Sequence, residues 1–179
     1  MTLYLIRHGK TLANEQHCYC GSTDLPLSPL GREELAALHY PDWKARYLTS
    51  GMARANETME ALFPGTPYEI DPRFREVDFG IFEGKTYEEL KDTPAYQLWL
   101  TGDNEANIPP QGESGEQMRQ HVLAALADIH EDTVLVCHGG VIAAIMAHYF
   151  PEEGKNRYQW QPKNGHGYAV TEKGYRAIP

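Results

Sequence analysis

Short apolar runs, spaced along the chain, predict the strands of a sheet. Residues 3–6 and the run "TVLVC" at 133–137 are continuously apolar, which is typical of strands buried on both faces. The stretches "KARYLTS" at 44–50 and "YEI" at 68–70 predict two further strands. The tail "GYAVTEKGYRAIP", residues 167–179, predicts a hairpin at an edge of the sheet.

Helices are predicted between these strands. The clearest begins at Ser114, which is followed three residues later by Gln117 in a capping-box pattern and then by apolar residues at helical spacing. Similar spacing predicts helices from residue 32, at 54–63, on either side of Pro94, and from about residue 140 to Pro151. The stretch 14–31 is rich in Gly, Pro, Ser and Asp and is expected to be a long loop. Because strands alternate with helices, we expect an α/β fold with a mainly parallel sheet, formed by a single domain over residues 1–179.

Charge and cysteine content narrow the class of protein. The chain has a formal net charge of -9 and lacks a long basic run, so neither a nucleic acid nor an anionic membrane is the expected partner. No signal peptide and no apolar stretch of membrane-spanning length is recognisable. Three cysteines are an odd number, which fits a reducing cytoplasm better than a disulfide framework.

The same pair of residues follows both of the strongly apolar strands. "LIRHG" places Arg7 and His8 at the end of the first strand, and "LVCHG" places His138 and Gly139 at the end of the other. If both strands are central and parallel, the two histidines lie at one edge of the sheet, where open α/β sheets bind ligands. Gly139 also begins a predicted helix, and a strand–glycine–helix junction presents backbone N–H groups to anions.

Two further charged residues are candidates for the same edge. Arg54 starts a helix directly after the strand that ends near Ser50. Glu76 lies in "REVDFGIFEG", where apolar neighbours favour the protonated carboxylic acid that a proton donor needs. From the residues alone, Glu76 is no better a candidate than Asp78 or Glu83.

Six motifs in order along the chain resemble those of the histidine phosphatase superfamily, also called the phosphoglycerate mutase-like family. They are "LIRHGKT…N", "CGSTDLPLSPLG", "SGMARANET", "REVDFGIFEG", "PPQGES" and "VLVCHGGV". The resemblance covers nearly the whole chain and implies a three-layer α/β sandwich with a mostly parallel central sheet. It also implies a phosphatase of small phosphate monoesters that needs neither a metal nor a cofactor.

The resemblance carries a set of site residues to this chain. It implies a nucleophile, His8; a phosphate pocket, Arg7, Arg54 and His138; a proton donor, Glu76; and supporting groups at Asn14, Gly21 and Gly139. The residue types suit the chemistry, because neutral imidazole attacks a phosphate dianion without charge repulsion and arginines hold its oxygens. One position departs from the family: Lys10 stands where an acidic residue is usual, and it is expected to make the rim of the pocket more positive.

Alternatives remain within the family. A mutase would return the phosphate to its substrate. Mutases of the family carry extra basic residues in the stretch that corresponds to 91–110, but here this stretch holds Lys91 and no arginine. The chain is also short for a mutase. We therefore expect hydrolysis. The spacer pattern "EELKD…YQLWL…IPPQGES" most resembles α-ribazole phosphatases of cobalamin synthesis, which makes α-ribazole 5'-phosphate the candidate substrate.

Two alternatives lie outside catalysis. His17, Cys18, Cys20 and Cys137 could supply soft metal ligands, but Cys-x-Cys is tighter than the usual zinc pattern and no second ligand pair follows. A non-catalytic protein that only captures phosphorylated ligands would be expected to lack one of the site residues, and all of them are present.

Overall fold

The computed structural model of the protein describes residues 1–179. Its strands are β1 (Leu3–Arg7), β2 (Arg46–Thr49), β3 (Glu69–Ile70), β4 (Thr133–Cys137), β5 (Gly167–Thr171) and β6 (Gly174–Ile178). Its helices are α1 (Leu12–Glu15), α2 (Pro29–Ala36), α3 (Ala53–Leu62), α4 (Tyr87–Leu90), α5 (Pro94–Trp99), α6 (Gly115–Leu126), α7 (Gly139–Tyr149) and α8 (Arg157–Trp160). Single 3₁₀ turns occur at Pro72–Phe74, Gly80–Phe82 and Pro151–Glu153.

The six strands form one sheet in the order β3-β2-β4-β1-β5-β6. Strands β3, β2, β4 and β1 are mutually parallel, and β5 pairs antiparallel with β1 and with β6. The predicted mainly parallel sheet and the edge hairpin at the end of the chain are both confirmed. The strands β1 and β4, which carry the two His-Gly pairs, are neighbours near the middle of the sheet.

Two apolar layers cover the faces of the sheet, because alternate residues of each central strand point to opposite sides. Leu5 of β1 and Leu135 of β4 belong to a large core cluster with the buried faces of α6 and α7. Ile6 and Val136, their chain neighbours, belong to a second cluster under α3. The arrangement is the expected three-layer sandwich, and its central strands are buried on both faces.

Local capping explains where several helices begin. The side chain of Ser114 accepts a hydrogen bond from the backbone of Gln117 and completes the predicted capping box of α6. The stretch 14–31, expected to be one long loop, instead contains the end of α1 and the start of α2. Thr11 caps α1 through Asn14, and Ser28 caps α2 so that it starts three residues before Arg32. None of the helices has the length and apolar composition that crossing a bilayer requires.

Candidate active site

The carboxyl ends of β1 and β4 lie side by side. The register pairs Arg7 with Cys137, so His8 and His138 are the first residues beyond the two strand ends. The backbone N–H of His8 donates to the carbonyl of Cys137 at 3.0 Å and extends this pairing by one residue. Both histidines are buried, and their ring centroids are 5.2 Å apart. The structure thus brings together two residues that are far apart in the sequence.

His8 has one unprotonated ring nitrogen. Its Nδ1 lies 2.6 Å from the carbonyl oxygen of Gly9, and because a carbonyl only accepts, Nδ1 must carry the hydrogen. The lone pair is therefore on Nε2. Burial lowers the pKa of His8 well below its usual range, and the nearby charges of Arg54 and Arg7 lower this pKa further. The imidazole is consequently neutral at neutral pH.

His138 is oriented by Ser50, a residue that the sequence analysis did not select. Ser50 Oγ lies 2.7 Å from His138 Nε2 and accepts a hydrogen bond from the backbone N–H of Met52 at 3.3 Å. The hydroxyl can donate to Nε2 or accept from it, according to the tautomer of His138. Nδ1 is buried without a hydrogen-bond partner. Burial, and then Arg54, His8 and Arg7, lower the pKa of His138 well below its usual range.

Arg54 is fully buried in the first turn of α3. Its Nη2 donates to the carbonyl of Gly21 at 2.7 Å and its Nη1 to the carbonyl of Thr23 at 2.8 Å. These bonds fix the guanidinium plane, while Nε has no partner in the protein. A buried guanidinium with free N–H donors is costly unless an anion occupies the site.

Arg7, the residue before His8, has similar contacts. Its Nη1 donates to the carbonyl of Pro162 at 2.9 Å, and its Nε is buried without a partner. Nε of Arg54 and Nδ1 of His138 are likewise buried without a hydrogen-bond partner. Two guanidinium groups with buried, unpaired N–H donors close to the histidine pair suit an anionic ligand.

Glu76 is buried against the start of α7. Its Oε2 accepts a hydrogen bond from the backbone N–H of Gly140 at 2.9 Å, and its Oε1 accepts from the N–H of Val77 at 3.0 Å. Gly140 is the second residue after His138, so the Glu76 carboxylate lies at the same edge of the sheet. The local chain is held there by Val77, which is part of the large core cluster.

The structure separates Glu76 from the two acids that sequence reasoning could not distinguish from it. Oδ1 of Asp78 accepts hydrogen bonds from the Ser22 hydroxyl at 2.9 Å and from the Gly80 N–H at 2.8 Å. Glu83 accepts from the backbone N–H of Gly21 at 2.9 Å. Asp78 and Glu83 therefore hold the loop that follows α1, whereas Glu76 contacts the helix that begins at the histidine pair.

Asn14, Gly21 and Gly139, the residues expected to support the phosphate, differ in the groups that they leave free for a ligand. Asn14 accepts the Thr11 N–H through its Oδ1 at 3.0 Å and leaves its amide N–H groups for a ligand. The N–H of Gly21 is taken by Glu83, so Gly21 acts through its carbonyl, which holds Arg54. Gly139 is the first residue of α7, and a Cβ there would lie 3.2 Å from Nε of Arg7. Its backbone thus closely approaches the unpaired donor.

A loop near the end of the chain, residues 162–166, holds the Arg7-His8 pair in place. The Asn164 amide donates to the carbonyl of His8 at 3.0 Å, and the N–H of Gly165 donates to the carbonyl of Arg7 at 2.9 Å. Sequence reasoning missed this loop, because no local pattern distinguishes it from other polar turns. Its contacts depend on β5 lying next to β1.

Lys10 makes an ion pair with Glu34 at 3.0 Å. The carboxylate offsets the positive charge that the departure from the family pattern was expected to add to the rim. No group of three or more His, Cys, Asp or Glu side chains is arranged to hold a metal ion. Of the soft ligands considered from the sequence, Cys137 is buried in the large core cluster, whereas Cys18 and Cys20 are partly exposed.

Comparison with known proteins shows the family of the chain. Residues 3–177 match the model of the histidine phosphatase superfamily, branch 1. The adenosylcobalamin/alpha-ribazole phosphatase of Salmonella typhimurium is 28% identical over 178 residues, which cover 92% of this chain and 87% of that protein. A crystal structure described as phosphoglycerate mutase from Thermus thermophilus is 30% identical, with a TM-score of 0.78 over 100% of this chain and 97% of that one.

Another relative is much longer. The human 6-phosphofructo-2-kinase/fructose-2,6-bisphosphatase 4 is 32% identical over 156 residues, which cover 83% of this chain but 32% of that protein, so this chain spans about a third of its length. The family match extends over nearly all of the chain described here. The protein belongs to the histidine phosphatase superfamily. The sequence-based expectations of a phosphatase-family enzyme and of a phosphoglycerate mutase-like fold are therefore confirmed.

Proposed function

We propose that the protein hydrolyses phosphate monoesters through a phosphohistidine formed on Nε2 of His8. The observation that carries the proposal is the hydrogen bond from Nδ1 of His8 to the carbonyl of Gly9, at 2.6 Å, which leaves Nε2 unprotonated beside two arginines. A neutral nucleophile in a cationic pocket suits a dianionic ester, since the substrate is attracted and the attacking atom is not repelled.

In the first step Nε2 of His8 attacks phosphorus, and the bond between phosphorus and the ester oxygen breaks. Free N–H donors of Arg7, Arg54 and His138 bind the equatorial oxygens, on which the charge of the transition state is spread. Glu76, as the carboxylic acid, transfers its proton to the leaving alkoxide. The products of this step are the free alcohol, phospho-His8 and the carboxylate of Glu76.

In the second step water attacks phosphorus and the bond between nitrogen and phosphorus breaks. The Glu76 carboxylate takes a proton from the attacking water, so the carboxylic acid is restored for the next cycle. Inorganic phosphate leaves and His8 is again neutral. All steps use side chains of this chain, and the scheme involves no metal ion and no cofactor.

The substrate that we propose is α-ribazole 5'-phosphate. Two observations support it: the spacer motifs at 88–114, and the relatives named adenosylcobalamin/alpha-ribazole phosphatase in Salmonella typhimurium and Escherichia coli. A mutase-type transfer is favoured by the similar Thermus thermophilus structure described as phosphoglycerate mutase. We nevertheless propose hydrolysis, because Lys91 is the one basic residue in the stretch at 91–110, where mutases carry extra basic residues. The three free cysteines support a reducing, cytoplasmic location, and no macromolecular partner is required.

The experiment is rapid quenching of the enzyme with phosphorus-labelled ester in the presence of a chelator. We expect a labelled protein adduct that is labile in acid and stable in base, in the parent protein and in the control His130→Ala, which alters an exposed histidine. His8→Ala should form no adduct and should lose turnover. Near-normal hydrolysis by His8→Ala, or dependence of the parent activity on added metal, would show the mechanism to be wrong.

A further inference from the structure

One of the six sequence motifs, "PPQGES" at 109–114, is not used by the proposed chemistry. In the structure it lies against the chain that follows Glu76. The backbone N–H of Glu113 donates to the carbonyl of Asp78 at 2.9 Å, and Oε1 of Glu113 accepts from the N–H of Asp78 at 3.2 Å. One residue of the motif thus holds both backbone polar groups of the second residue after Glu76.

The two stretches of chain approach each other so closely that no side chain fits between them at two glycines. A Cβ on Gly112 would overlap the carbonyl of Asp78, and a Cβ on Gly80 would overlap the carbonyl of Pro110. The Pro110 carbonyl also accepts a hydrogen bond from the N–H of Ile81 at 3.0 Å. Direct backbone contact of this kind allows little movement, so the motif fixes the path of the chain that it faces.

His121 of α6 holds the Glu76 segment at its other end. Its Nδ1 lies 2.6 Å from the carbonyl oxygen of Arg73 and, because a carbonyl only accepts, donates to it. Its Nε2 lies 3.4 Å from Oε1 of Glu113, and both side chains are mostly buried. The pair formed by His121 and Glu113 therefore contacts the backbone three residues before Glu76 and two residues after it.

We infer that Glu113 is a positioning residue for the Glu76 carboxylate and that His121 holds Glu113 in place. The inference rests on the proposed function, in which Glu76 is the proton donor. Phe74 and Val77 bury the segment through apolar contacts, which have no preferred direction. Hydrogen bonds do have one, so the pair sets the orientation of the backbone on both sides of Glu76 and thereby keeps the carboxylate against the start of α7.

The first readout is single-turnover cleavage of ribose 5-phosphate and of nitrophenyl phosphate. Glu113→Ala should slow the alkyl ester roughly 10- to 100-fold, since a misplacement of about 1 Å can cost 10²-fold, and should largely spare the aryl ester, whose leaving group needs no proton. Glu113→Gln keeps an oxygen for the N–H of Asp78 and should retain most of the parent rate. His121→Phe keeps the ring volume without the bond to Arg73 and should show the same selective loss.

The second readout needs no turnover. The N–H of Gly140, in the first turn of α7, has no intrahelical partner and donates to Oε2 of Glu76, so its hydrogen exchange reports whether the carboxylate is in place. Exchange at Gly140 should be faster in Glu113→Ala than in the parent. The matched control is Glu116→Ala, which removes the same charge at the start of α6, where Glu116 is exposed and pairs with Arg119. It should leave both readouts unchanged.

Unchanged exchange at Gly140 in Glu113→Ala would overturn the inference whatever the kinetics. Given a selective alkyl defect in Glu76→Gln, equal slowing of both esters by Glu113→Ala or His121→Phe would also overturn it. Glu113→Ala should add little to the alkyl defect of Glu76→Gln, because the group that it positions is then absent, and a full further loss would contradict this. Faster exchange at Gly140, together with parent-like cleavage of both esters by Glu76→Gln, would refute the proposed role of Glu76 and leave the positioning standing.

Discussion

Replacing Gly140 with alanine is expected to displace Glu76, the proposed proton donor, without changing that residue itself. Gly140 is the second residue of α7, and its N–H donates to Oε2 of Glu76 at 2.9 Å. A Cβ at this position would overlap Oε1 of Glu76 and would lie 3.1 Å from both Cδ and Oε2. The methyl group thus takes the space of the buried carboxylate, which must rotate away from the helix.

The size of the effect follows from what the carboxylate does. A hydrogen bond to a charged group contributes about 1.5–3 kcal/mol, and Glu76 loses the geometry of this one when it moves. General acid catalysis is worth roughly 10²–10⁴-fold when the leaving oxygen is strongly basic, as in an alkyl phosphate. A nitrophenolate leaves without a proton, so phosphoryl transfer from its ester should be largely spared. Alanine is the better helix former by about 1 kcal/mol, so global unfolding is not the expected cause.

The assay measures two single-turnover rates for each variant: cleavage of ribose 5-phosphate and release of nitrophenolate from nitrophenyl phosphate. Gly140→Ala and Glu76→Gln should both show a selective loss with the alkyl ester. The double variant should lose little more than either single one, because both changes remove the same group. The helix-start control is Gly115→Ala, where a Cβ would overlap the Glu105 carboxylate. That side chain is 47% exposed and can move aside, so both rates should stay near those of the parent.

Equal slowing of both esters by Gly140→Ala would refute the reasoning, because it would mean that the methyl group disturbs phosphate binding instead of proton donation. Losses that multiply in the double variant would also refute it. A selective alkyl defect in Asp78→Asn or Glu83→Gln, with Glu76→Gln unaffected, would assign the proton donor to one of those residues. Because Asp78 and Glu83 hold the loop at 21–23, we expect Asp78→Asn and Glu83→Gln to slow the cleavage of both esters to a similar extent.

Two further predictions concern the phosphate pocket and its histidines. Arg54→Lys should lower kcat/KM by one to two powers of ten, because one ammonium group cannot hold the carbonyls of Gly21 and Thr23 and also bind phosphate. Each charge-assisted bond that is lost costs about 1.5–3 kcal/mol. Steady-state kinetics that match those of the parent would place Arg54 outside the pocket. Because folding lowers the pKa values of His8 and His138, their contribution to stability is complete above the unfolded-state pKa of about 6.5 and is lost as pH falls below it. In urea unfolding below pH 6.5, the free energy of unfolding should therefore fall by about 1.4 kcal/mol per pH unit for each buried imidazole. His8→Ala should make this slope less steep. An equal slope in the parent and the variant would contradict the assignment.

The sequence predicts best those parts of the fold that depend on neighbouring residues. Ser114 and Gln117 are three positions apart, so their capping box and the helix behind it could be recognised directly. Continuous apolar runs likewise indicate β1 and β4 because both faces of these strands are buried. The short α1 was missed because its capping box uses Asn14 in place of the usual Glu or Gln, and α8 was missed because four residues show no periodicity.

The site was only partly predictable for a related reason. His8 and His138 could be placed at one sheet edge because each directly follows an apolar strand. Ser50 could have been found by the same argument, since it is the first residue after β2. Nothing near Asn164 in the sequence indicates that its amide reaches the carbonyl of His8, because that contact depends on which strand pairs with β1. Contacts that depend on the order of strands in the sheet cannot be predicted from local sequence patterns.

The place of β1 in the sheet has a consequence for protein synthesis. The strand that leads to His8 is synthesised well before its two neighbours in the sheet, β4 and β5, which begin at Thr133 and Gly167. At about 5–20 residues per second, the chain between Arg7 and the loop at 162–166 takes roughly 8 to 30 s to make. Until β4 is made the apolar strand β1 has no partner, and for the whole interval Arg7 lacks the Pro162 carbonyl that holds it. A growing chain therefore carries His8 long before it has made the segments that surround this proposed nucleophile in the folded protein.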